Sequence, residues 1–315
     1  MKTYLVAGGA GFLGSNLIER LIVDPDNHII CIDNLITGKK ENISQYQSKT
    51  NFEYINADIS QPLKIKNKID FVLNYACPAS PIDYRAKAVE TLDASSAGVR
   101  NLLEIAKHNQ ARFFHTSTSE VYGDPLEHPQ KETYWGHVNP YGERSCYDEG
   151  KRFAEALIYI YRHDYKVNTG IVRIFNTYGP NMQPDDGRVV SNFIRQALCG
   201  EDITVYGQGL QTRSFCYVSD QIEGQLKLIH SNIEGPINIG NPCEFTIIEL
   251  AEKVIALTNS KSKIIHCDLP KDDPTQRRPD ISLAKQYLDW SPVVDLDEGL
   301  RKTIEWFRSN QEKLK

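Results

Sequence analysis

Thr3-Tyr4-Leu5-Val6-Ala7-Gly8-Gly9-Ala10-Gly11-Phe12-Leu13-Gly14 is an apolar run that breaks into glycines. Residues 3–7 suit a parallel strand buried on both faces. Helical periodicity takes over at residues 15–23. A glycine turn between strand and helix places backbone N–H groups and a helix N-terminus where a pyrophosphate can sit. Gly8, Gly11, Phe12, Leu13 and Gly14 are its candidate contacts. Glycines alone are a weak signal, but here they have the strand–turn–helix context that a dinucleotide site requires.

The same alternation runs on from this turn. A second strand at residues 28–32 ends in Asp33, about 20 residues past the glycines, with Asn34 and Gly38 beyond it. A carboxylate there can bind both ribose hydroxyls and opposes a 2′-phosphate, which favours NAD over NADP. Residues 52–56 form a third strand leading to Asp58-Ile59, placed to meet an adenine edge. Residues 71–75 form a fourth, followed by Ala76, and residues 86–109 read as one long helical stretch. Residues 112–116 form a fifth strand that delivers Ser117-Thr118-Ser119-Glu120, and residues 169–175 a sixth. Ligands of doubly wound sheets bind outside the carboxyl ends of the strands, so these positions share one crevice. The expected fold is a doubly wound, Rossmann-like parallel α/β sheet with a second, smaller, interleaved substrate-binding lobe. The alternation breaks near residue 180, which assigns 1–177 with 214–241 to NAD and 178–213 with 242–315 to the second ligand. In the last third, Asp280 and Ser282 read as caps for the helix that follows.

Tyr147-Asp148-Glu149-Gly150-Lys151 carries the chemistry. Residues four apart on a helix share a face, so Tyr147 and Lys151 point into one space. A cation ~6 Å away at an effective dielectric of ~20 favours the phenolate by roughly 3 kcal/mol, while burial pushes the other way.

Composition narrows the alternatives. The chain has 315 residues, 40% hydrophobic and 24% charged, with a net charge of −5 and no basic run. That argues against nucleic acid as the main partner. Seven scattered cysteines with no Cys-x-x-Cys pair suit reduced thiols in the cytoplasm rather than a disulfide framework or a metal site. No export signal and no 18-residue apolar run is seen, so no membrane partner is expected.

Longer blocks carry a family resemblance: 117–125 (STSEVYGDP), 134–140 (YWGHVNP), 146–152 (CYDEGKR), 173–180 (RIFNTYGP), 186–194 (DGRVVSNFI), 204–207 (TVYG), 211–213 (QTR) and 272–281 (DDPTQRRPDI). With them the chain resembles the extended short-chain dehydrogenase/reductases of nucleotide sugars, and among these the UDP-glucuronate decarboxylases. Ala7, Asn74-Tyr75 and Ser95 depart from the family pattern. The resemblance implies NAD as cofactor, a UDP-sugar as substrate and a homodimer built on the helices at 86–109 and 147–162. It implies that Tyr147, helped by Thr118 and Lys151, deprotonates the sugar's 4-hydroxyl, so that the resulting 4-keto acid loses carbon dioxide. Glu120 is the candidate for acid–base work at carbon 5, and Ser119 for placing the carboxylate. Related 4,6-dehydratases carry an acid where Ser119 stands, and a serine is too weak an acid to expel hydroxide. Arg213 and Asn176 are expected at the diphosphate, with Arg188 a further anion contact. Tyr206 and Val189 are expected at the uracil with Gln211 nearby, Arg277 at a phosphate or the sugar, and Tyr84 at the sugar. The rival readings are a 4,6-dehydratase or 4-epimerase of nucleotide sugars, and more remotely a non-catalytic NAD or nucleotide-sugar sensor.

Overall fold

The computed structural model describes residues 1–185, 187–268 and 276–310. Among them a seven-stranded sheet has the order β11-β6-β5-β4-β1-β2-β3. Its strands are β1 (Lys2–Ala7), β2 (Asn27–Ile32), β3 (Phe52–Ile55), β4 (Phe71–Asn74), β5 (Arg112–Thr118), β6 (Thr169–Ile174) and, after the short strands given below, β11 (Ile237–Ile239). Every neighbouring pair is parallel. Alternate residues of β1 feed different cores, as a strand's two-residue period demands. Tyr4 and Val6 join the larger cluster with Leu17, Ile18 and Phe114. Leu5 and Ala7 join the other with Val72, Phe113 and Leu102.

Strand order reverses between β1 and β4, the switch point at which such sheets bind ligands. The peptides there touch: a Cβ on Gly8, whose φ is +78°, would lie 2.5 Å from the Tyr75 carbonyl carbon. Helix α1 (Phe12–Leu21) follows at once, and a Cβ on Gly14 would lie 2.2 Å from the Gly8 oxygen. Only glycine lets the helix sit this close to the turn.

The stretch at 86–109 is helical without a gap from Ala88 to Asn109, and a break at Lys87 separates it from a short helix before it. Helix α2 (Pro81–Ala86) ends at Lys87, whose φ and ψ of −125° and 48° are not helical. Helix α3 (Ala88–Asp93) then runs through a π turn at Ala94–Gly98 into α4 (Val99–Asn109). The bend at Lys87 lets Tyr84 stack on Tyr147, with centroids 5.0 Å apart, while α3 and α4 run along the next helix. That helix, α5 (Ser145–His163), buries Tyr147, Lys151, Ala154, Ile158 and Tyr161, one stripe at helical spacing. The apolar part of the stripe seats on the sheet and so turns its polar head inward. Ser117 and Thr118 belong to β5 itself, two residues beyond the expected strand end.

The chain leaves the large sheet after Ile174 and returns at Ile237. Between and beyond lie short strands β7 (Thr177–Tyr178), β8 (Ile203–Tyr206), β9 (Thr212–Ser214), β10 (Cys216–Tyr217), β12 (Glu244–Thr246), β13 (Ile264–Cys267) and β14 (Gln276–Arg277). They pair as β10-β7, β13-β8 and β12-β9-β14. Helix α6 (Val189–Cys199) has Arg188 as its N-cap, and Asp186 lies outside the described residues, as do Asp272, Asp273, Pro274 and Thr275. Helix α7 (Val218–Ile229) returns to pack on α1 and β6, and α8 (Ile247–Thr258) packs on α6. Helix α9 (Ser282–Leu288) starts differently from the expectation. Ser282 is its first residue rather than its cap, and the Asp280 carboxylate accepts the Ser282 N–H from outside the helix. No described helix is long and apolar enough to cross a membrane.

Candidate active site

One cavity of about 930 Å³ opens over the carboxyl ends of the large sheet's strands. All the expected contact residues line it. At its β1–β2 end are Gly8, Gly11, Phe12, Leu13, Gly14, Asp33, Asn34 and Gly38, with Asp58, Ile59 and Ala76 alongside. The N-terminus of α1 has no side-chain cap, which leaves its N–H groups for an anion. Asp33 is buried, its carboxylate accepting the N–H groups of Ala10 and Leu35 at 2.9 and 2.8 Å. Burial raises its pKa and these two bonds oppose the rise. Asn34 donates to Asp58 at 3.2 Å, tying the ends of β2 and β3 together. Gly14→Ala should weaken NAD binding by roughly fivefold to a hundredfold through overpacking of about 1–3 kcal/mol. NAD titration by tryptophan fluorescence checks this, and undiminished affinity would contradict the cradle.

The middle of the cavity holds the polar head of α5. Lys151 is buried and donates to the Thr116 carbonyl at 2.8 Å, its Nζ 5.8 Å from the Tyr147 ring centroid. Thr118 lies beside the Tyr147 phenol, its hydroxyl accepting the Glu120 N–H at 3.2 Å. Burial raises the pKa of that phenol, the Cys77 thiol and Glu120 add to the rise, and Thr118 and Arg188 oppose it. The balance left open by the sequence thus falls on the side of burial, and the resting phenol stays protonated. Ser117 lines the cavity, but its hydroxyl donates to Glu155, which Arg173 grips through two nitrogens.

Beside Tyr147 lies a cluster that the sequence reading only half anticipated. Arg277 is 1% exposed and donates to Ser119 Oγ at 3.0 Å, to both Glu120 oxygens at 3.2 and 3.4 Å, and to the Gly123 carbonyl at 2.8 Å. Arg144, at the N-cap of α5, bonds Glu120 from the other side and approaches Asp148 at 3.6 Å. Burial alone would raise the Glu120 pKa, but Arg277, Arg144 and Arg213 bring it down to about 2. Arg144 was missed by sequence reasoning. Its spacing of four from Asp148 was the only available signal, and its partner Glu120 lies 24 positions away.

Tyr84 is 1% exposed, its hydroxyl buried and without a hydrogen-bond partner among the described residues. Asn176, Arg188, Val189, Tyr206, Gln211 and Arg213 line the far wall, Gln211 donating to the Tyr206 carbonyl at 3.0 Å. No group of three His, Cys, Asp or Glu among the described residues is arranged to hold a metal ion.

The NAD dependent epimerase/dehydratase family matches residues 4–240. The chain belongs to that family. UDP-glucuronic acid decarboxylase 3 of Arabidopsis thaliana is 53% identical over 304 residues, which is 96% of this chain and 88% of that one. UDP-glucuronic acid decarboxylase 1 of Danio rerio is 50% identical over 306 residues, 97% of this chain and 72% of that one. Among solved structures, the UDP-glucuronic acid 4-epimerase of Bacillus cereus in complex with UDP-glucuronic acid and NAD superposes with a TM-score of 0.88. It is 28% identical, and the match covers 98% of this chain and 99% of that one.

Proposed function

We propose that the protein decarboxylates UDP-glucuronate to UDP-xylose through a 4-keto intermediate, with NAD regenerated in each cycle. The observation that carries this is the cluster at the reacting end. A buried Tyr147 lies near Thr118 and Glu120, Arg144 and Arg277 both hold Glu120, and Arg277 also holds Ser119, a serine in place of an acid, beside it. Relatives about half identical bear the name of the same enzyme.

The residues present fit NAD. The Gly8–Gly14 cradle leaves no room for a Cβ at either position, the open start of α1 suits a pyrophosphate, and Asp33 at the end of β2 suits a ribose diol. Asn34, Gly38, Asp58, Ile59, Ala76 and Ser117 complete that wall. Bound NAD supplies the hydride acceptor for carbon 4 and a positive charge near the phenol. As the phenolate that the charges of Lys151 and of bound NAD would favour, Tyr147 takes the proton of the 4-hydroxyl, with Thr118 beside its oxygen. The ketone formed on the sugar lies β to the carboxylate, so carbon dioxide leaves without acid help. Ser119, held by Arg277, places that carboxylate. Glu120 is a carboxylate at neutral pH, so it serves carbon 5 by orienting the water that protonates it after carbon dioxide leaves.

At the other end, Arg188, Arg213 and Asn176 bind the diphosphate and Tyr206, Val189 and Gln211 the uracil. Residues 1–177 with 214–241 thus serve NAD, and 178–213 with 242–315 the nucleotide sugar. A homodimer through α3 and α5 is part of this reading. These helices pack together and leave Val89, Leu92, Phe153, Tyr159 and Ile160 exposed. A cytoplasmic location suits the seven free cysteines.

Incubation of the purified protein with UDP-glucuronate should release carbon dioxide and form a UDP-pentose. UDP-galacturonate without carbon dioxide would instead mark a 4-epimerase. A 4-keto-6-deoxy sugar from UDP-glucose would mark a dehydratase.

A further inference from the structure

Asp148 has no part in the chemistry above, yet it is buried one residue past Tyr147. Its Oδ2 lies 3.6 Å from Arg144 Nε. Its Oδ1 is buried with no hydrogen-bond partner among the described residues. Arg144 also grips Glu120, which Arg277 holds from the opposite side. Arg144 thus serves both carboxylates, Arg277 bonds Glu120 and Arg213 adds its charge there, and a substrate carboxylate arriving at Ser119 makes a third anion. Carboxylates crowded into one buried site do not all stay ionised. Glu120 is hydrogen-bonded to both arginines, whereas Asp148 has one long contact with Arg144 and one orphaned oxygen.

We propose that Asp148 is a proton-linked positioning residue for this end of the cavity: it takes up a proton as the substrate carboxylate enters, and so leaves the charge of Arg144 to Glu120 and the substrate. This rests on the decarboxylase reading of the site and deepens it. The ionisable groups facing Asp148 are Glu120 from the turn after β5, Arg277 from β14, Tyr84 from α2, and Arg144 and Cys146 beside it on α5. Burial and then Glu120 push its carboxyl up to about 7 against the pull of Arg144 and Arg277. As the pH rises through that value the unliganded site gains a negative charge, so affinity for a carboxylate-bearing sugar falls. Affinity for UDP-xylose, which has the same diphosphate and no carboxylate, stays level.

The test is calorimetric titration of NAD-loaded Tyr147→Phe protein, in which turnover is blocked, with UDP-glucuronate and with UDP-xylose. Each titration is run at pH 7 in two buffers of different ionisation enthalpy. Uptake of roughly half a proton is expected with UDP-glucuronate and none with UDP-xylose. Adding Asp148→Asn should abolish the uptake and flatten the pH dependence of UDP-glucuronate affinity between pH 6 and 8. No uptake, equal uptake with both ligands, or uptake that survives Asp148→Asn would overturn the proposal. The comparison of the two ligands decides even if Asp148→Asn does not fold. Wild-type protein assayed in parallel separates the two failures: carbon dioxide release without proton uptake sinks only the role of Asp148, and no turnover or binding of UDP-glucuronate sinks the decarboxylase reading with it.

Discussion

Tyr147→Phe should lower the rate of carbon dioxide release from UDP-glucuronate by about 10³-fold or more while NAD and UDP still bind. The substitution keeps the ring that stacks on Tyr84, 10° from parallel, and removes only the phenolic oxygen beside Thr118. General acid–base catalysis by a positioned side chain is typically worth 10²–10⁴. The upper part of that range is expected because proton removal starts the whole sequence. No neighbour can replace the phenol: Lys151 is held against the Thr116 carbonyl, and Glu120 is clamped by two arginines. Single-turnover assays with equilibrium titration of both nucleotides separate chemistry from binding. A variant within tenfold of wild type would remove Tyr147 from the chemistry.

The second large effect is expected from Arg277→Met, in stability as well as rate. The guanidinium is the link between Ser119, Glu120 and the Gly123 carbonyl, and its side chain is 2% exposed. Removing one partner of a buried ion pair typically costs 3–5 kcal/mol. Arg144 still grips Glu120, so about 3 kcal/mol is expected, lowering Tm by roughly 4–5 °C. Decarboxylation should fall at least a hundredfold, because Ser119 loses the group that orients it. The pH dependence of stability has a definite sign. Glu120 has a folded pKa of about 2 against an ordinary 4.5, so its stabilisation is present above 4.5 and is lost as the pH falls towards 2. Without Arg277 the folded pKa rises and this acid-labile share shrinks. Thermal melts at pH 7 and pH 3 measure both effects, and a variant as stable and as active as wild type would contradict the link.

Much of the NAD side was legible in the sequence because it depends on local order. A strand, a glycine turn and a helix in succession can be read residue by residue, and the acidic ends of β2 and β3 follow from strand periodicity. The Tyr147–Lys151 pair was legible for the same reason, since one helix face suffices to bring both together. What stayed hidden depends on contacts distant in the chain. Arg144 and Arg277 approach Glu120 from 24 and 157 positions away, so neither pairing leaves a local pattern. The short helix before Lys87 and the bend after it leave no mark in the sequence pattern, which shows helical periodicity only from residue 86 on. The cause of the bend is the stacking of Tyr84 on a helix some sixty residues later. Ser282 was mistaken for a cap because Asp280 does the capping from one position further out.

The central claim is that Tyr147 and its neighbours allow a sugar to be oxidised at carbon 4, so that the carboxylate on carbon 5 leaves as carbon dioxide, and then to be reduced again at carbon 4. The most direct measurement is the reaction of UDP-glucuronate in deuterium oxide, with the product examined by NMR. The expected product is UDP-xylose carrying deuterium at carbon 5 and ordinary hydrogen at carbon 4, with one carbon dioxide released per molecule. A product that retains the carboxylate, or one labelled at carbon 4 rather than carbon 5, would contradict the account.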